Sequence, residues 1–448
     1  MRKSRAVLGL FMAAAVGMTG CSASGEAGAG STAQTSRQTS GQTAEQSEAA
    51  SGEEISYEVT GPVEFEFWHS METELIDPIC EAFNSSQDQI TVTPVYVGNY
   101  AAIQEQIAAA QAAREGLPGL CTINYPFVNT YAESGVAEPL DAYMEAAEYE
   151  DLFYEGFTDP VKIDGQQYAF PWGPSTTVIY YNKDLLEESG TETYPATWEE
   201  LRTWTQEYHE KTGGTAFAFF GTDFNYINTL LLNTGVDPIG DGKCQMGDER
   251  VRTWIAEVKE MVDSGAAEWV NTGSSTEADL KTKFLSGETA SIILTSTYYD
   301  KALAAAEFEV GVSLVPYNAN NNSTTSGATL FIPAMNDQNI KNAAFEFLTY
   351  MTNDENAKEF ALYTAYLPTK KSLLDSEEEV DEFCELYPEM RIVYENMDTI
   401  ISKNPSPYFT KALTQICEDL TLIFNTGADI DSTIESMCER VDYILEGN

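Results

Sequence analysis

The chain has 448 residues, 24 Lys and Arg against 71 Asp and Glu, a formal net charge of −47 and only two His. That balance excludes nucleic acid, which needs a basic stripe to neutralise phosphates, and docking on anionic lipid headgroups. It does not imply disorder: 43% of residues are hydrophobic and 11% aromatic, enough for large cores, and at ~100–200 residues per domain two or three are expected.

Arg2, Lys3 and Arg5 precede an apolar run over residues 6–17, and Met18-Thr19-Gly20-Cys21 follows. The run is too short to span a bilayer and reads as the core of a secretory signal. Small residues ahead of a cysteine resemble the bacterial lipobox, whose cysteine accepts the lipid and becomes the new N-terminus. An ordinary cleaved signal is the alternative. Residues 1–20 are therefore expected to be a lipoprotein signal peptide with lipid attachment at Cys21. Residues 22–55 have no aromatic side chain, so residues 21–58 are expected to form a flexible tether. The expected location is extracytoplasmic, lipid-anchored to the outer face of the bacterial cytoplasmic membrane.

Alternating apolar and acidic residues predict a strand over 63–68. A helix over 72–86, a Thr- and Val-rich strand over 91–97, an Ala/Gln-rich helix over 101–114 and a short strand over 120–123 follow. This β-α-β-α-β order predicts parallel strands joined by crossover helices. The pattern resumes with a strand over 176–181 and a helix over 197–212, opened by the capping-box pair Thr197 and Glu200. Helices over 248–264 and 277–286, strands over 289–294 and 310–315, and helices over 341–352, 355–363 and beyond 406 complete an α/β chain.

Besides Cys21 there are Cys80, Cys121, Cys244, Cys384, Cys417 and Cys438. Cys80 and Cys438 continue apolar helix faces and Cys121 sits in a strand, so buried free thiols are expected rather than disulfides. No Cys or His cluster suggests a metal, and no cofactor is expected. No nucleophile elbow, phosphate-binding loop or zinc-protease motif occurs. His209 lies mid-helix and is expected to be exposed. His69 ends a strand, where ligands bind in α/β sheets, yet a lone His is no catalyst. Aromatic residues near predicted strand ends and turns, Trp68, Tyr100, Tyr125, Trp172, Phe224, Tyr298, Tyr299 and Tyr366, offer flat faces for sugar rings, with packing as the competing role.

Phe67-Trp68-His69-Ser70-Met71 and Pro94-Val95-Tyr96-Val97-Gly98-Asn99-Tyr100 resemble the start of the glycerol-3-phosphate-binding proteins of ABC importers. Tyr180-Tyr181-Asn182-Lys183-Asp184 is similar to a segment found widely in sugar-binding proteins of the same superfamily. The resemblance runs over roughly residues 60–425 and implies a two-lobed, type II periplasmic-binding-protein-like fold with the ligand between lobes. The N-terminal lobe would hold residues 59–175 plus 317–363, and the C-terminal lobe residues 176–316 plus 364–448. It further implies a monomer that closes on a small-molecule solute and docks on ABC permease subunits, and no enzyme.

By position, the resemblance gives Tyr100, Ser175, Ser296, Gly327 and Tyr366 contacts to ligand, with His69 on the first-lobe wall. Trp68, Tyr125, Trp172 and Phe224 join the candidate set as aromatic loop residues. The chain departs from the family at Asn124-Tyr125, where the acidic residue is missing, and after Phe409-Thr410-Lys411, where the phosphate-clamping arginine is missing. A buried phosphate without such a cation is costly. A carbohydrate is the expected solute, glycerol-3-phosphate or a glycerophosphodiester the alternative. A surface polysaccharide-acting enzyme is a further alternative, although Asp223 is the only carboxylate among the nameable cleft residues.

Overall fold

The computed structural model describes residues 55–149, 152–402 and 408–447. The signal segment, Cys21 and the tether up to residue 54 lie outside the described residues. In chain order the strands are β1 (Val63–His69), β2 (Ile90–Tyr96), β3 (Leu120–Asn124), β4 (Lys162–Ile163) and β5 (Gln166–Gln167). Then come β6 (Phe170–Ser175), β7 (Thr177–Asn182), β8 (Thr215–Phe220), β9 (Ala267–Val270) and β10 (Thr289–Thr295). The last are β11 (Val310–Ser313), β12 (Ser323–Thr324), β13 (Ser326–Phe331) and β14 (Ile400–Ile401).

Two five-stranded sheets carry the fold, ordered β2-β1-β3-β13-β6 and β11-β7-β10-β8-β9. In the first, β1 runs parallel to β2 and β3, and β13 runs against β3 and β6. In the second, β8 is parallel to β9 and β10, and β7 runs against β10 and β11. Each sheet thus has four parallel strands and one inverted strand that arrives from the other lobe. The parallel strands come from β-α-β units, as the sequence pattern predicts.

Strand periodicity builds the first lobe. Val63, Phe65 and Phe67 face one core with Ile76, Cys80 and Phe83 of the helix Thr73–Ser86 and Phe347 and Leu348 of the helix Gln338–Met351. Trp68 turns to the opposite core, with Ile103 and Ile107 of the helix Tyr100–Ala113. The second lobe buries Phe217 and Phe219 of β8 with Ile292 and Ile293 of β10. Its helix Trp198–Thr212 opens with the expected capping box: Thr197 Oγ1 accepts from the Glu200 N–H at 3.2 Å, and Glu200 Oε2 accepts from the Thr197 N–H at 3.0 Å. The C-terminal helices Phe409–Thr426 and Ile430–Leu445 pack on each other, with buried Asp419 paired to Arg440 at 2.6 Å. Among the described residues no helix is long and apolar enough to cross a membrane.

Four strands of the two large sheets escape the sequence reading, β6, β8, β9 and β13, as do the two-residue strands β4, β5, β12 and β14. β6 contains Pro171 and Pro174, which a ladder tolerates here because β6 is an edge strand. β8 (Thr-Ala-Phe-Ala-Phe-Phe) is buried throughout most of its length and shows no alternation. The expectation of free thiols is corrected for one pair. Cys244 and Cys438 form a disulfide, Cα atoms 5.1 Å apart and 194 residues apart in sequence. The loop holding Cys244 reaches the last helix, where Asp442 Oδ1 accepts from the Cys244 N–H at 2.7 Å. That proximity is tertiary and leaves no local trace. Cys80, Cys121, Cys384 and Cys417 are free and buried, and burial raises all four thiols, Cys80 to about 12. His209 is corrected too: it is half-buried, with Nδ1 2.8 Å from the Gly214 carbonyl beyond the helix end.

Candidate functional site

Topology decides where a ligand can sit. β6 ends at Ser175 and β7 begins at Thr177, so this crossover between the two sheets is the single residue Thr176. The C-terminal ends of β1 and β3 share the sheet edge of Ser175, because β6 runs parallel to β3 through the intervening β13. The C-terminal ends of β8 and β10 share the edge of Thr177. The residues that follow these strand ends therefore face each other across the crossovers, the position at which open α/β sheets bind ligands.

On the first-lobe side three neighbouring positions leave buried polar atoms without a protein partner: His69 Nε2, Asn124 Oδ1 and the Tyr125 hydroxyl. His69 is fully buried at the end of β1, and its Nδ1 lies 3.2 Å from the Met71 carbonyl. A carbonyl only accepts, so Nδ1 carries the proton and Nε2 is left as an acceptor. Desolvation lowers the His69 pKa, outweighing the Met71 hydrogen bond and Asp77, which raise it. Tyr100 begins the helix Tyr100–Ala113, which Asn99 caps. Its hydroxyl hydrogen-bonds to Ser70 and to Tyr366. Burial raises the phenols of Tyr100, Tyr125 and Tyr366, so all three remain neutral donors and acceptors.

A cavity of about 260 Å³ adjoins Ser70 and Tyr366, the partners of Tyr100, while His69, Asn124 and Tyr125 are not among its lining residues. Its walls come from Ser70, Met71, Glu72 and Leu75 of the first lobe, Thr297, Asp300 and Lys301 after β10, and Tyr363, Thr364 and Tyr366. The larger surface cavities around Trp198 and Tyr194 are lined by second-lobe residues and Tyr317–Ala319, and lie away from the facing strand ends.

The structure thus brings together His69, Tyr100, Tyr125 and Tyr366 from the expected set. It gives the others different surroundings. Trp68 is buried in the core facing the helix Tyr100–Ala113, its indole N–H donating to Glu66 at 2.8 Å. Trp172 is buried in β6 with its ring 4.5 Å from Phe360, although its indole N–H has no protein partner. Ser175 is buried at the end of β6, opposite Ser326. Ser296 is buried with its hydroxyl accepting from the Thr176 N–H at 3.2 Å. Gly327 lies in β13 opposite Pro174. Phe224 opens the helix Phe224–Leu232 and meets Phe409 edge-on at 6.1 Å. Asp223 caps that helix, accepting from the Asn225 N–H at 2.7 Å. Ser70 and Thr297 were not singled out from sequence, nor was Asn124 given a site role; their signal is position directly at or after a strand end. Among the described residues no group of three His, Cys, Asp or Glu could hold a metal.

The lowered His69 pKa has a consequence for stability. The unfolded chain takes up a proton near 6.5 while the folded chain resists it. Stability from this residue is therefore full above that value, falls as pH drops below it, and levels off once the folded His69 also protonates. His69→Gln should remove that part of the acid loss, measured as urea unfolding at about pH 7.5 and about pH 5. An unchanged difference between the two pH values would assign the loss to carboxylates elsewhere.

Comparison with known proteins agrees with this architecture. The family model described as bacterial extracellular solute-binding protein matches residues 79–383. The sn-glycerol-3-phosphate-binding periplasmic protein UgpB of Escherichia coli is 29% identical over 376 residues, covering 78% of this chain and 82% of that protein. The Yersinia pestis protein of the same name is 26% identical over 416 residues, covering 85% and 92%. Among solved structures, UgpB of Mycobacterium tuberculosis in complex with glycerophosphocholine superimposes with a TM-score of 0.76 at 21% identity, covering 87% of this chain and 99% of that one. The cyclic alpha-maltosyl-1,6-maltose binding protein of Arthrobacter globiformis gives 0.75 at 19%, covering 87% and 100%; at such identity the shared feature is the fold. The order of the two sheets, the single-residue crossover and the family match over residues 79–383 place this chain in the family of bacterial extracellular solute-binding proteins, as the binding component of an ABC importer.

Proposed function

We propose that the chain captures a neutral, hydroxyl-rich solute of the carbohydrate class between its lobes and hands it, by lobe closure, to ABC permease subunits. One observation carries the choice of solute. His69 Nε2 and Asn124 Oδ1 are both acceptors, buried and without a protein partner. Sugar hydroxyls donate to such atoms, whereas the phosphate group of a glycerophosphate only accepts and would have to sit elsewhere, against a cation. The nearest cation in the lining, Lys301, is an exposed residue of the cavity wall beside Asp300. A protein of charge −47 also disfavours an anionic solute unless a local cation offsets its field. Names of the relatives support the competing glycerol-3-phosphate or glycerophosphodiester reading.

Titration calorimetry with sugars, oligosaccharides, glycerol-3-phosphate and glycerophosphocholine separates them. Tight binding of a glycerophosphate with no heat from any sugar would overturn the proposal. Within the carbohydrate reading, Tyr100→Ala removes a phenol linked to both Ser70 and Tyr366. It should cost ~1–3 kcal/mol of binding free energy; wild-type affinity would remove Tyr100 from the site.

The proposed lobes are residues 59–175 plus 317–363 and residues 176–316 plus 364–448, with Ser175, Ser296, Gly327, Trp172, Trp68 and Phe224 supporting the site rather than all touching solute. The chain acts as a monomer, lipid-anchored through Cys21 after cleavage of residues 1–20. Cys21→Ala should move the protein from the membrane fraction to the soluble fraction. Retention in the membrane fraction would refute the lipid attachment.

A further inference from the structure

The antiparallel pairing of β13 with β6 runs up to Ser326 opposite Ser175 and stops there. Three residues further back along the chain, Ser323 lies in β12, whose backbone ladder is committed to β14. The two crossovers nevertheless remain joined, through one side chain. Ser323 Oγ accepts from the Thr177 N–H at 2.9 Å and from the Thr176 hydroxyl at 2.6 Å, and donates to the Thr177 carbonyl at 2.8 Å. A serine hydroxyl has one proton and two lone pairs, so this one is fully used. A second chain of hydroxyls runs beside it. Thr177 Oγ1 lies 3.3 Å from Thr229 Oγ1, which lies 2.9 Å from Thr324 Oγ1. From β10, Ser296 holds Thr176 twice, its hydroxyl accepting from the Thr176 N–H and its N–H donating to the Thr176 carbonyl at 2.8 Å. Thr176, Thr177, Thr229, Ser296, Ser323 and Thr324 are all buried, and none of them carries a charge.

We propose that Ser323 is the pivot of lobe motion, a positioning residue that sets the balance between open and closed forms. A backbone ladder across the crossovers would resist bending, because each bond fixes two chain directions. A hydroxyl turns about its own Cβ–Oγ bond and follows a small bend, but it keeps all three bonds over a limited range of angles only. All three bonds are made at the angle described here, so together they favour this form over one in which the crossovers bend further. The inference rests on the lobe closure of the proposed function, and not on the class of solute.

Spin labels at Glu105→Cys in the helix Tyr100–Ala113 and Glu207→Cys in the helix Trp198–Thr212 report the distance between lobes in the full chain. Both positions are exposed, and the four free cysteines among the described residues are buried. Without solute, Ser323→Ala should change the ratio of open to closed distances by about fivefold or more, as expected for groups left unpaired in one state only. Ser323→Thr, which keeps the hydroxyl, should restore it. If Ser323→Ala does not fold, Thr176→Val, which deletes one of the three bonds, should move the ratio in the same direction by less. A variant that melts earlier but keeps the wild-type distance distribution would overturn the pivot, as would failure of Ser323→Thr to rescue. A wild-type chain whose distances never change, with every solute of the calorimetric panel, would instead sink lobe closure itself.

Discussion

Replacing Cys244 and Cys438 together by alanine is expected to lower the stability of the second lobe by about 5 kcal/mol, the loop-closure value for a bridge spanning 194 residues. The bridge ties the last helix to a loop that has its own hold on that helix through Asp442. The helix also buries Ile434, Met437, Val441 and Ile444. The double variant should therefore still fold, with an earlier calorimetric transition for the second lobe and an unchanged first-lobe transition. Reductant should shift the wild type in the same direction and leave the double variant where it is. A wild type that melts identically with and without reductant would show that the bridge is not formed in solution or carries no stability. The buried thiols contribute nothing to this difference, because burial keeps them protonated and unreactive.

The second large effect is at Gly327. Its φ of +99° is one that a side chain rarely adopts, and a Cβ built there would lie 2.1 Å from the Gly173 carbonyl oxygen. That oxygen is backbone and cannot swing aside. Gly173 is itself confined, since a Cβ there would stand 3.2 Å from the rings of Phe360 and Tyr366. The third crossover closes the stack, with the Leu367 N–H donating to the Pro174 carbonyl at 2.9 Å. Gly327→Ala should cost about 3 kcal/mol or more, from conformational strain plus overlap. It should also weaken solute binding, because Tyr366 and the end of β6 shift together. Denaturant unfolding and calorimetry on the same sample check both parts. A variant with wild-type stability would mean that the crossovers pack less closely than described here.

Much of the architecture was legible because it rests on local periodicity. The apolar–acidic alternation of Val63–His69, the Thr197/Glu200 capping box and the Ala-rich helix before Gly116 each declare themselves within a few residues. Two of the missed strands share a physical reason. β6 and β13 owe their extended form to each other and to β3, so Pro171, Pro174 and Gly327 speak against a strand until the partners are in place. Among site residues, His69, Tyr100 and Tyr366 were reachable from strand-end position and family resemblance. Trp68, expected among the aromatic ligand residues, is buried in the core facing the helix Tyr100–Ala113, because successive strand residues point to opposite faces and His69 takes the other one. The Ser296 hydroxyl accepts from the Thr176 N–H and keeps its own proton to donate, a link between distant segments that no local pattern shows.

The sequence alone determined what kind of protein this is: an acidic, exported α/β chain with strand ends rich in aromatic and hydroxyl side chains, in a recognisable order. Only the tertiary structure decided which polar atoms are left unpartnered in the cleft, which cysteines meet, and how the crossovers are joined. Those outcomes depend on which atoms far apart in the chain come within about 3 Å of each other, and hydrogen bonds such as Ser323 to Thr177 link residues 146 apart. Periodicity and composition encode the faces of elements. They do not encode the partner that satisfies each buried donor and acceptor, and in this protein that choice separates a packing residue from a binding one.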